Sequence, residues 1–498
     1  MNVLVPLMVV MPIVGAGLTM ALWQHVKLQQ ALGVVVLAAN VVVAAVVLID
    51  VADSGPVAVH IGGWPAPIGI TLVADVLAMM LLLVALITLL AVFVYAIGQP
   101  RADKGAFYFH PLYLVLATGV CAAFLTGDLF NLFVAFEIML VSSYVLITLG
   151  GRREQVRTGI TYVVINLVAS TLLVTTIGLI YAATGSVNMA DVAVRFAEVP
   201  DAVQTTLGAL LLVTFGIKAA IFPLFFWLPD SYPTAPAPVT AVFAGLLTKI
   251  GVYAILRTQT LFFHDGGTSM LILVLAALTM VIGVLGAIAQ DDVKRILSFH
   301  IVSQIGYMLF GLSLFTVSGV AAAIFFVVHQ IPVKTALFLV SGLIESVTGT
   351  AALTRLGGLI RRAPVTAALF GLAALSLAGI PPFSGFFGKL TLVSAGLDSG
   401  AWLVTGISLA VSVLTLYSMT KIWANAFWGP AMLPEVIETP HGALPRTAPR
   451  LMTASTAGLV AVALAIGIFA GPIWELSEQA AENLLAPGDA YIRAVLGP

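Results

Sequence analysis

The chain is poor in charge. Only 9% of its 498 residues are charged, whereas 61% are apolar; soluble domains carry about 25% charged and about 45–50% apolar residues. A surface with so few charges must face hydrocarbon rather than water. The formal net charge of -1 also provides no basic field for a nucleic acid. The composition therefore excludes a soluble protein and a nucleic-acid-binding protein, and it indicates a polytopic membrane protein.

Cysteine and ligand motifs are also scarce. The one cysteine, Cys121, lies in an apolar run, and a single thiol cannot hold an iron–sulfur cluster, a thiolate zinc site or an intrachain disulfide. The sequence has no glycine-rich phosphate loop, no metal-ligand cluster and no nucleophile triad. We therefore expect no cofactor, no metal site and no enzymatic site in this chain, so any redox chemistry would belong to another subunit.

Long apolar runs, in contrast, fill the sequence. A run of about 20 apolar residues crosses the roughly 30 Å of hydrocarbon in a bilayer. The first run lacks the basic n-region of a cleaved signal peptide, so we expect it to be retained. These runs predict an all-α, polytopic membrane protein with about fourteen transmembrane helices. The predicted spans, numbered 1 to 14, cover residues 3–23, 31–51, 72–97, 109–126, 128–149, 158–183, 204–228, 236–262, 268–290, 296–316, 318–344, 364–397, 401–425 and 451–472.

Basic residues in the predicted loops indicate the orientation, because Lys and Arg accumulate on the cytoplasmic side. The odd-numbered loops carry most of them, and we therefore expect these loops in the cytoplasm and both termini on the outer side. The odd loops hold Lys27, Arg101, Lys104, Arg152, Arg153, Arg157, Lys294, Arg295, Arg355, Arg361, Arg362, Arg446 and Arg450. The even loops and the tail hold only Arg195, Arg257 and Arg493.

Five lysines fall inside the predicted spans or at their edges. They are Lys218, Lys249, Lys334, Lys389 and Lys421. Each costs roughly 2.5–3.5 kcal/mol at a helix centre on the insertion scale, so a central lysine indicates a function. A lysine near a helix end can instead extend its ammonium group to the headgroups. We favour that simpler interpretation for Lys421 and the functional one for Lys218 and Lys249.

Three further titratable residues accompany the lysines. Glu137 lies in the middle of predicted span 5, where its charge is favoured only beside a cation such as Lys218. His329, five residues before Lys334, offers a group that titrates near neutral pH, although a buried histidine satisfied by one hydrogen bond is an alternative. Asp75 near the start of span 3 is either a solvated cap or a functional carboxylate.

Two predicted spans contain helix breakers at corresponding places. Pro223 interrupts span 7, while Pro381, Pro382 and Gly385 interrupt span 12. The broken spans are five apart, which predicts two five-helix repeats, helices 4–8 and 9–13, of inverted topology. The predicted organisation is therefore 1–108 for helices 1–3, 109–263 and 264–425 for the two repeats, and 426–498 for a loop, helix 14 and a tail.

The strings that carry these residues resemble a known family. They are GIKAAIFPLFFWLPDSYPTAPAPVTAVFAGLLTKIGVYAILR, LSFHIVSQIGYMLFGL, HQIPVKTALFL and AGIPPFSGFFGKL. Such strings are similar to those of the antiporter-like subunits shared by Mrp cation/proton antiporters, respiratory complex I and membrane-bound hydrogenases. The string DLFNLFVAFEIMLVSSYVLITLG around Glu137 most resembles the D-type subunits of Mrp sodium/proton antiporters. The resemblance covers roughly residues 70–420 and implies a prokaryotic inner-membrane subunit.

The resemblance also implies roles for individual residues. The family's glutamate of helix 5 matches Glu137, and its lysines in the first broken helix, in helix 8 and in the second broken helix match Lys218, Lys249 and Lys389. Lys334 matches a lysine that links the two halves, with His329 beside it. One departure is Phe226, where relatives frequently carry histidine, which puts in doubt a proton route through that side chain.

The resulting hypothesis is a proton-translocating subunit of a multisubunit sodium/proton antiporter. A row of titratable residues at the membrane midplane would join two half-channels; it consists of Glu137, Lys218, Lys249, His329, Lys334 and Lys389. Other Mrp subunits and membrane lipids would be the partners of the chain. The sequence shows no cluster of oxygen ligands that would bind the exchanged sodium ion. A proton-pumping subunit of complex I or of a membrane-bound hydrogenase is the first alternative. A scaffold subunit that moves no ions is the second, against which five intramembrane lysines argue.

Overall fold

A computed structural model describes residues 1–99, 106–263, 267–430, 438–439, 442–443, 447–485 and 489–497. Arg101, Lys104 and Arg446, which contribute to the predicted orientation, lie outside the described residues. The α-helices within the described residues are α1 (Leu4–Ala21), α2 (Val26–Ser54), α3 (Val76–Gly98), α4 (Ala106–Leu125), α5 (Leu129–Thr148), α6 (Arg153–Thr184), α7 (Met189–Phe196), α8 (Asp201–Ala219), α9 (Trp227–Ser231), α10 (Ala237–Val242), α11 (Thr248–Phe262), α12 (Ser269–Ile288), α13 (Val293–Ser313), α14 (Val317–Thr348), α15 (Leu359–Arg362), α16 (Pro364–Ala378), α17 (Ser384–Asp398), α18 (Trp402–Ile422), α19 (Arg450–Ile468), α20 (Ala470–Leu485) and α21 (Asp489–Leu496).

The prediction of an all-α polytopic membrane protein is confirmed. Among the described residues, thirteen helices are long and apolar enough to cross a membrane. One of them, Ala237–Phe262, joins α10 and α11 through a π-helical turn at Phe243–Leu247. The predicted span 364–397 is instead two short helices, α16 and α17, because Pro381 and Pro382 interrupt the helical hydrogen-bond ladder between them. This divided span accounts for the difference between thirteen helices and about fourteen.

Short strands occur in two of the predicted loops. Strand β1 (Val57–His60) pairs with β2 (Thr71–Ala74) in an antiparallel hairpin, and β3 (Glu438–Thr439) pairs with β4 (Gly442–Ala443). The predicted tail after span 14 also contains helices α20 and α21, of which α20 packs against α3 and α14. Strands β1, β3 and β4 and helix α20 were not predicted because they lie in segments between or after the long apolar runs. Strand β2 was not predicted because its apolar residues adjoin those of span 3.

Helix α14 is the centre of the bundle. It packs against α3, α10, α13, α16, α17, α19 and α20, and nearly all of its residues from Gly319 to Thr348 are buried. A helix that is apolar around its whole circumference can be buried in this way. Because α14 carries His329 and Lys334, both side chains lie at the centre of the bundle, surrounded by these helices.

Three backbone hydrogen bonds in the first part of the chain have counterparts in the second part, each displaced by the same number of residues. In the first part they are Leu129 N–Val187 O (2.8 Å), Met189 N–Gly127 O (2.8 Å) and Gly185 N–Tyr181 O (2.7 Å); their counterparts are Val293 N–Ala351 O (3.0 Å), Leu353 N–Asp291 O (2.8 Å) and Gly349 N–Glu345 O (2.8 Å). The chain breaks match as well, since Ile221 N–Gly216 O (3.0 Å) corresponds to Ile380 N–Leu375 O (3.1 Å). The pair of inverted repeats stays a prediction, which these matched bonds support.

Candidate functional site

Glu137 and Lys218 meet through a serine. The Ser170 hydroxyl on α6 donates a hydrogen bond to Glu137 Oε1 and accepts one from Lys218 Nζ at 3.0 Å. The ammonium group also donates to the Asn166 carbonyl at 3.3 Å, and it faces the Phe136 ring 5.7 Å away. Lys218 is buried, whereas Glu137 is half-buried. The carboxylate and the ammonium group are therefore linked by a hydroxyl that can pass a proton.

The break after α8 exposes backbone acceptors beside Lys218. The helix ends at Ala219, and Pro223 cannot donate a backbone hydrogen bond that would continue it. One freed carbonyl, that of Ile217, accepts a hydrogen bond from the Trp227 indole at 3.1 Å. Lys218 thus lies in the last turn of a helix, where the helix dipole favours a positive charge.

Lys249 lies at a second irregularity. Its Nζ donates to the Ala244 carbonyl at 2.5 Å and to Thr248 Oγ1 at 3.3 Å. Ala244 belongs to the π-helical turn, and such turns are frequent at functional sites. A Cβ atom on Gly251 would lie 2.7 Å from the Ala219 nitrogen, so glycine permits α11 to approach the end of α8. The close approach brings the backbone of Lys218 next to the helix that carries Lys249.

Lys334 on α14 lies between Lys249 of α11 and Lys389 of α17. Its side chain is fully buried, and its Nζ has no hydrogen-bond partner within the described ranges. Its helix, α14, packs against the π-helical turn whose Ala244 carbonyl binds Lys249 and against α17, which carries Lys389. The adjacent Thr335 touches the π-helical turn at Gly245, where a Cβ atom would collide with the threonine hydroxyl. Lys334 is therefore at the junction of the first and second parts of the bundle.

His329 connects α14 to the second break. Its Nδ1 is 2.8 Å from Ser384 Oγ, which is 3.1 Å from Ser376 Oγ across the break. Gly385 allows this arrangement, because a Cβ atom there would collide with the Ser376 carbonyl and crowd the His329 ring. The predicted single hydrogen bond of His329 is observed, but its Nε2 atom is buried without a partner in the described part of the chain.

Lys389 binds the broken end of α16. Its Nζ donates to the Ala378 carbonyl at 2.8 Å and to Ser412 Oγ at 2.9 Å, and it lies 5.3 Å from the centre of the Tyr307 ring. Ala378 is the last residue of α16, so its carbonyl has no partner within that helix. The second break thus supplies the acceptor for a buried ammonium group.

Asp75 and Lys421 lie away from this row. Asp75 caps α3 by accepting from Ala78 N at 2.8 Å, and it forms a buried ion pair with Arg257 at 2.6 Å. The sequence analysis assigned Arg257 to an outer loop, which is wrong: the residue is buried in α11. The Lys421 ammonium group binds the Gln290 carbonyl at 2.7 Å and Asp291 at 2.8 Å, beyond the end of α12. The Lys421 ammonium group therefore binds other residues of the chain and does not simply extend to the lipid headgroups.

The row lysines differ from the other buried cations in their partners. Within the described residues, Lys218, Lys249 and Lys389 donate only to carbonyl and hydroxyl oxygens, whereas Arg257 and Lys294 pair with carboxylates. Neutral acceptors can hold an ammonium group without fixing its charge. The hydroxyls of Ser170, Ser376, Ser384 and Ser412, which complete the row, were missed, since serines are common in transmembrane helices and carry no distinct pattern. Phe226, at the family's histidine position, is 57% exposed.

Comparison with known proteins identifies the family. The family model described as NADH:quinone oxidoreductase/Mrp antiporter, TM, matches residues 126–415. The chain belongs to this family. Across the ranges that the structure describes, no three His, Cys, Asp or Glu side chains are grouped as metal ligands.

Several relatives match the chain over its whole length. The D-type subunit of the Na(+)/H(+) antiporter of Alkalihalophilus pseudofirmus is 43% identical, and that of Bacillus subtilis is 40% identical; the match covers 100% of both chains in each case. Among solved structures, a chain of the Mrp complex from Dietzia sp. is 35% identical with a TM-score of 0.91 over 100% of both chains. A chain of the archaeal membrane-bound sulfane sulfur reductase is 26% identical with a TM-score of 0.89, over 99% of each chain. The predicted family resemblance is confirmed.

Proposed function

We propose that this chain is the proton-translocating subunit of a multisubunit Na⁺/H⁺ antiporter. The single observation that carries the proposal is the set of buried lysines bonded only to neutral oxygens. An ammonium group paired with a carboxylate keeps its proton, because losing it would leave an unpaired buried anion. An ammonium group on carbonyl and hydroxyl oxygens can lose a proton and leave neutral partners. The identity of 40–43% to the D-type subunits of Na(+)/H(+) antiporters over full length supports the antiporter assignment.

The proton route begins at Glu137 and ends at Lys389. When Lys218 bonds to Ser170, the Glu137 charge stabilises its proton through the shared hydroxyl. When this contact opens, Lys218 releases the proton toward Lys249 and becomes a neutral amine. The proton then passes to Lys334, and the row continues through His329 to Lys389. Because neighbouring charges change together, the titration belongs to the row rather than to any one residue.

The two parts of the bundle would act as half-channels. We propose the predicted division into residues 109–263 and 264–425 as inverted repeats, with residues 1–108 and 426–498 flanking them. Both termini would lie on the outer side, as the basic residues of the odd loops predict. The inward proton gradient would then drive sodium extrusion.

The sodium site would lie wholly or partly in partner subunits of the complex. Na⁺ binding requires several carboxylate, carbonyl or hydroxyl oxygens around the ion. Glu137 already bonds to Ser170, and Asp75 already binds Arg257. Neither carboxylate is thus free to hold a cation in this arrangement, which makes the other Mrp subunits the partners of this chain.

A respiratory complex is the second candidate. The likeness to the sulfane sulfur reductase chain favours it, because that chain shares the fold over its whole length. In such a complex the driving force would be redox chemistry rather than ion exchange. The lower identity of 26%, against 40–43% for the antiporter chains, favours the antiporter.

Everted membrane vesicles test the proposal. A host without Na⁺/H⁺ antiporters would express the full subunit set containing this chain, and a pH-sensitive dye would report proton movement on addition of Na⁺. We expect exchange from the full set, none from this chain alone, and none from the set carrying Lys249→Met. Lys27→Met, an exposed lysine at the start of α2, should leave exchange normal. Normal exchange by Lys249→Met at normal complex levels would contradict the proton route.

A further inference from the structure

Five buried polar atoms without hydrogen-bond partners lie on two adjacent helices. They are His300 Nδ1, Gln304 Nε2, His329 Nε2, Gln330 Oε1 and Lys334 Nζ, unpartnered within the described part of the chain. All five residues are at most 1% exposed, and α13 packs against α14. Buried polar groups are bonded to protein or to ordered water in nearly all structures. The space between α13 and α14 therefore has the polar lining that buried water requires.

One face of α13 connects this polar lining to the lysine row. His300, Gln304 and Tyr307 follow the i, i+4, i+7 spacing of a single helix face. Gln304 Oε1 accepts a hydrogen bond from Gln330 of α14 at 3.2 Å, and the Tyr307 ring lies 5.3 Å from the Lys389 ammonium group. The polar face thus runs from the N-terminal part of α13 to the second broken helix.

The other end of this face approaches the membrane surface. His300 Nε2 is 2.9 Å from Ser418 Oγ on α18. Ser418 lies one turn before Lys421, whose ammonium group binds Asp291 at 2.8 Å, and the Asp291 side chain is 70% exposed. At the same end, Lys294 pairs with Glu345 at 2.7 Å. Ser418 and His300 therefore connect the charged groups at this end to the polar face of α13.

We propose that His300 carries protons along a hydrated branch that joins Lys334 to the bundle end marked by Lys421. This branch rests on the proposed proton route and adds a second access to it. A proton that leaves the Lys334 ammonium group crosses bridging water and binds one imidazole nitrogen. The other nitrogen then releases its proton to Ser418, whose hydroxyl donates its own proton to water at the bundle end marked by Lys421.

Cysteine accessibility tests the hydration of the branch without measuring transport. In assembled complexes lacking the native thiol through Cys121→Ala, Ser418→Cys should react with Ag⁺, the probe, about tenfold faster than a thiol in a dry contact, because thiol reactivity follows access. The matched control is Ser303→Cys on α13. Its native hydroxyl donates to Met280 O at 3.0 Å, and a Cβ atom on Gly283 would lie 2.4 Å from the Ser303 nitrogen. Equal protection of the two cysteines would overturn the branch.

Exchange measurements test the role of His300 itself. His300→Gln can still bond to Ser418 but cannot carry a proton, so Na⁺-driven proton movement should fall by roughly tenfold or more at normal complex levels. His110→Gln, a buried histidine 3.1 Å from Gln29, should leave exchange normal. If His300→Gln fails to assemble, Ser418→Ala should give the same loss. Normal exchange in His300→Gln would overturn the proposal. If Ser418→Ala is used in its place, normal exchange in that variant would overturn the proposal. Fast Ag⁺ labelling together with normal exchange by Lys249→Met would leave the branch hydrated and refute the row instead.

Discussion

The two matched parts of the bundle differ at one position of their central helices. Helices α6 and α14 each have 32 residues, and they end before Gly185 and Gly349, whose φ angles are 71° and 72°. Counted back from these glycines, Ser170 and Lys334 occupy the same position. Where the first part places a hydroxyl between a carboxylate and a lysine, the second part places the lysine itself. The same backbone thus holds a bonded charge relay on one side and an unpartnered ammonium group on the other.

This difference gives the two parts of the row different roles in proton transfer. In the first part the hydrogen bonds among Glu137, Ser170 and Lys218 form a small satisfied network, in which each member stabilises the next. In the second part Lys334, His329 and His300 leave buried atoms without partners among the described residues. A satisfied network can store a proton, whereas unpartnered groups exchange protons with water. We expect the largest effects where a charge of the satisfied network is removed.

The largest effect should follow Glu137→Gln. The amide can still accept from Ser170 but provides no negative charge for Lys218. Because Glu137 acts on Lys218 through Ser170 rather than in direct contact, the lower end of the about 3–5 kcal/mol for breaking a buried charge pair applies, which corresponds to roughly 10²-fold in rate. Dye-reported exchange in everted vesicles, normalised to assembled complex, measures the loss. Glu198→Gln, at an exposed position after α7, is the matched control and should be normal. Retained exchange in Glu137→Gln would mean that the first part needs no carboxylate.

Neutralising the lysines at the two breaks compares the parts directly. Lys218→Ala and Lys389→Ala should each lower transport strongly, because either removes one carrier from a single row. The loss for Lys389→Ala should be the smaller of the two, since among the described residues its ammonium group donates hydrogen bonds only to the Ala378 carbonyl and Ser412, away from any carboxylate, and water can replace it in part. Parallel exchange assays at equal complex levels decide the order. An unaffected Lys389→Ala complex would leave the second part a scaffold.

Ser170→Ala should have an intermediate effect. The substitution removes the hydroxyl between Glu137 and Lys218 but keeps both charges. A hydrogen bond to a charged group contributes about 1.5–3 kcal/mol, so exchange should fall by roughly tenfold or more while assembly is retained. Ser142→Ala on α5, whose hydroxyl bonds to carbonyls of its own helix, is the control. Equal exchange in the two variants would show that Glu137 acts on Lys218 without the serine.

The sequence predicted the charged residues of the row better than their connections. Lys218, Lys249 and Lys389 were predicted because a lysine in an apolar run is costly and rare. The π-helical turn that supplies the Ala244 carbonyl could not be predicted, because its residues differ little in propensity from those of a regular helix. Arg257 was misplaced since it lies near the end of an apolar run, and only its contact with Asp75, distant in sequence, shows that it is buried.

The smallest effect should come from Lys421→Ala, which changes the lysine of predicted span 13 that lies outside the row. Its ammonium group bonds to Asp291, with side chains 23% and 70% exposed respectively. Exposed ion pairs contribute about 0.2–1 kcal/mol, so complex levels should change little and exchange should stay within about fivefold of normal. The test is the same vesicle assay, with the thermal stability of the detergent-solubilised complex as a second measurement. A severe loss of exchange in an intact complex would move the membrane edge past Lys421. The lysine would then be the surface end of the row in the second part, and the two parts would differ in where they meet the solvent as well as in how they hold the proton.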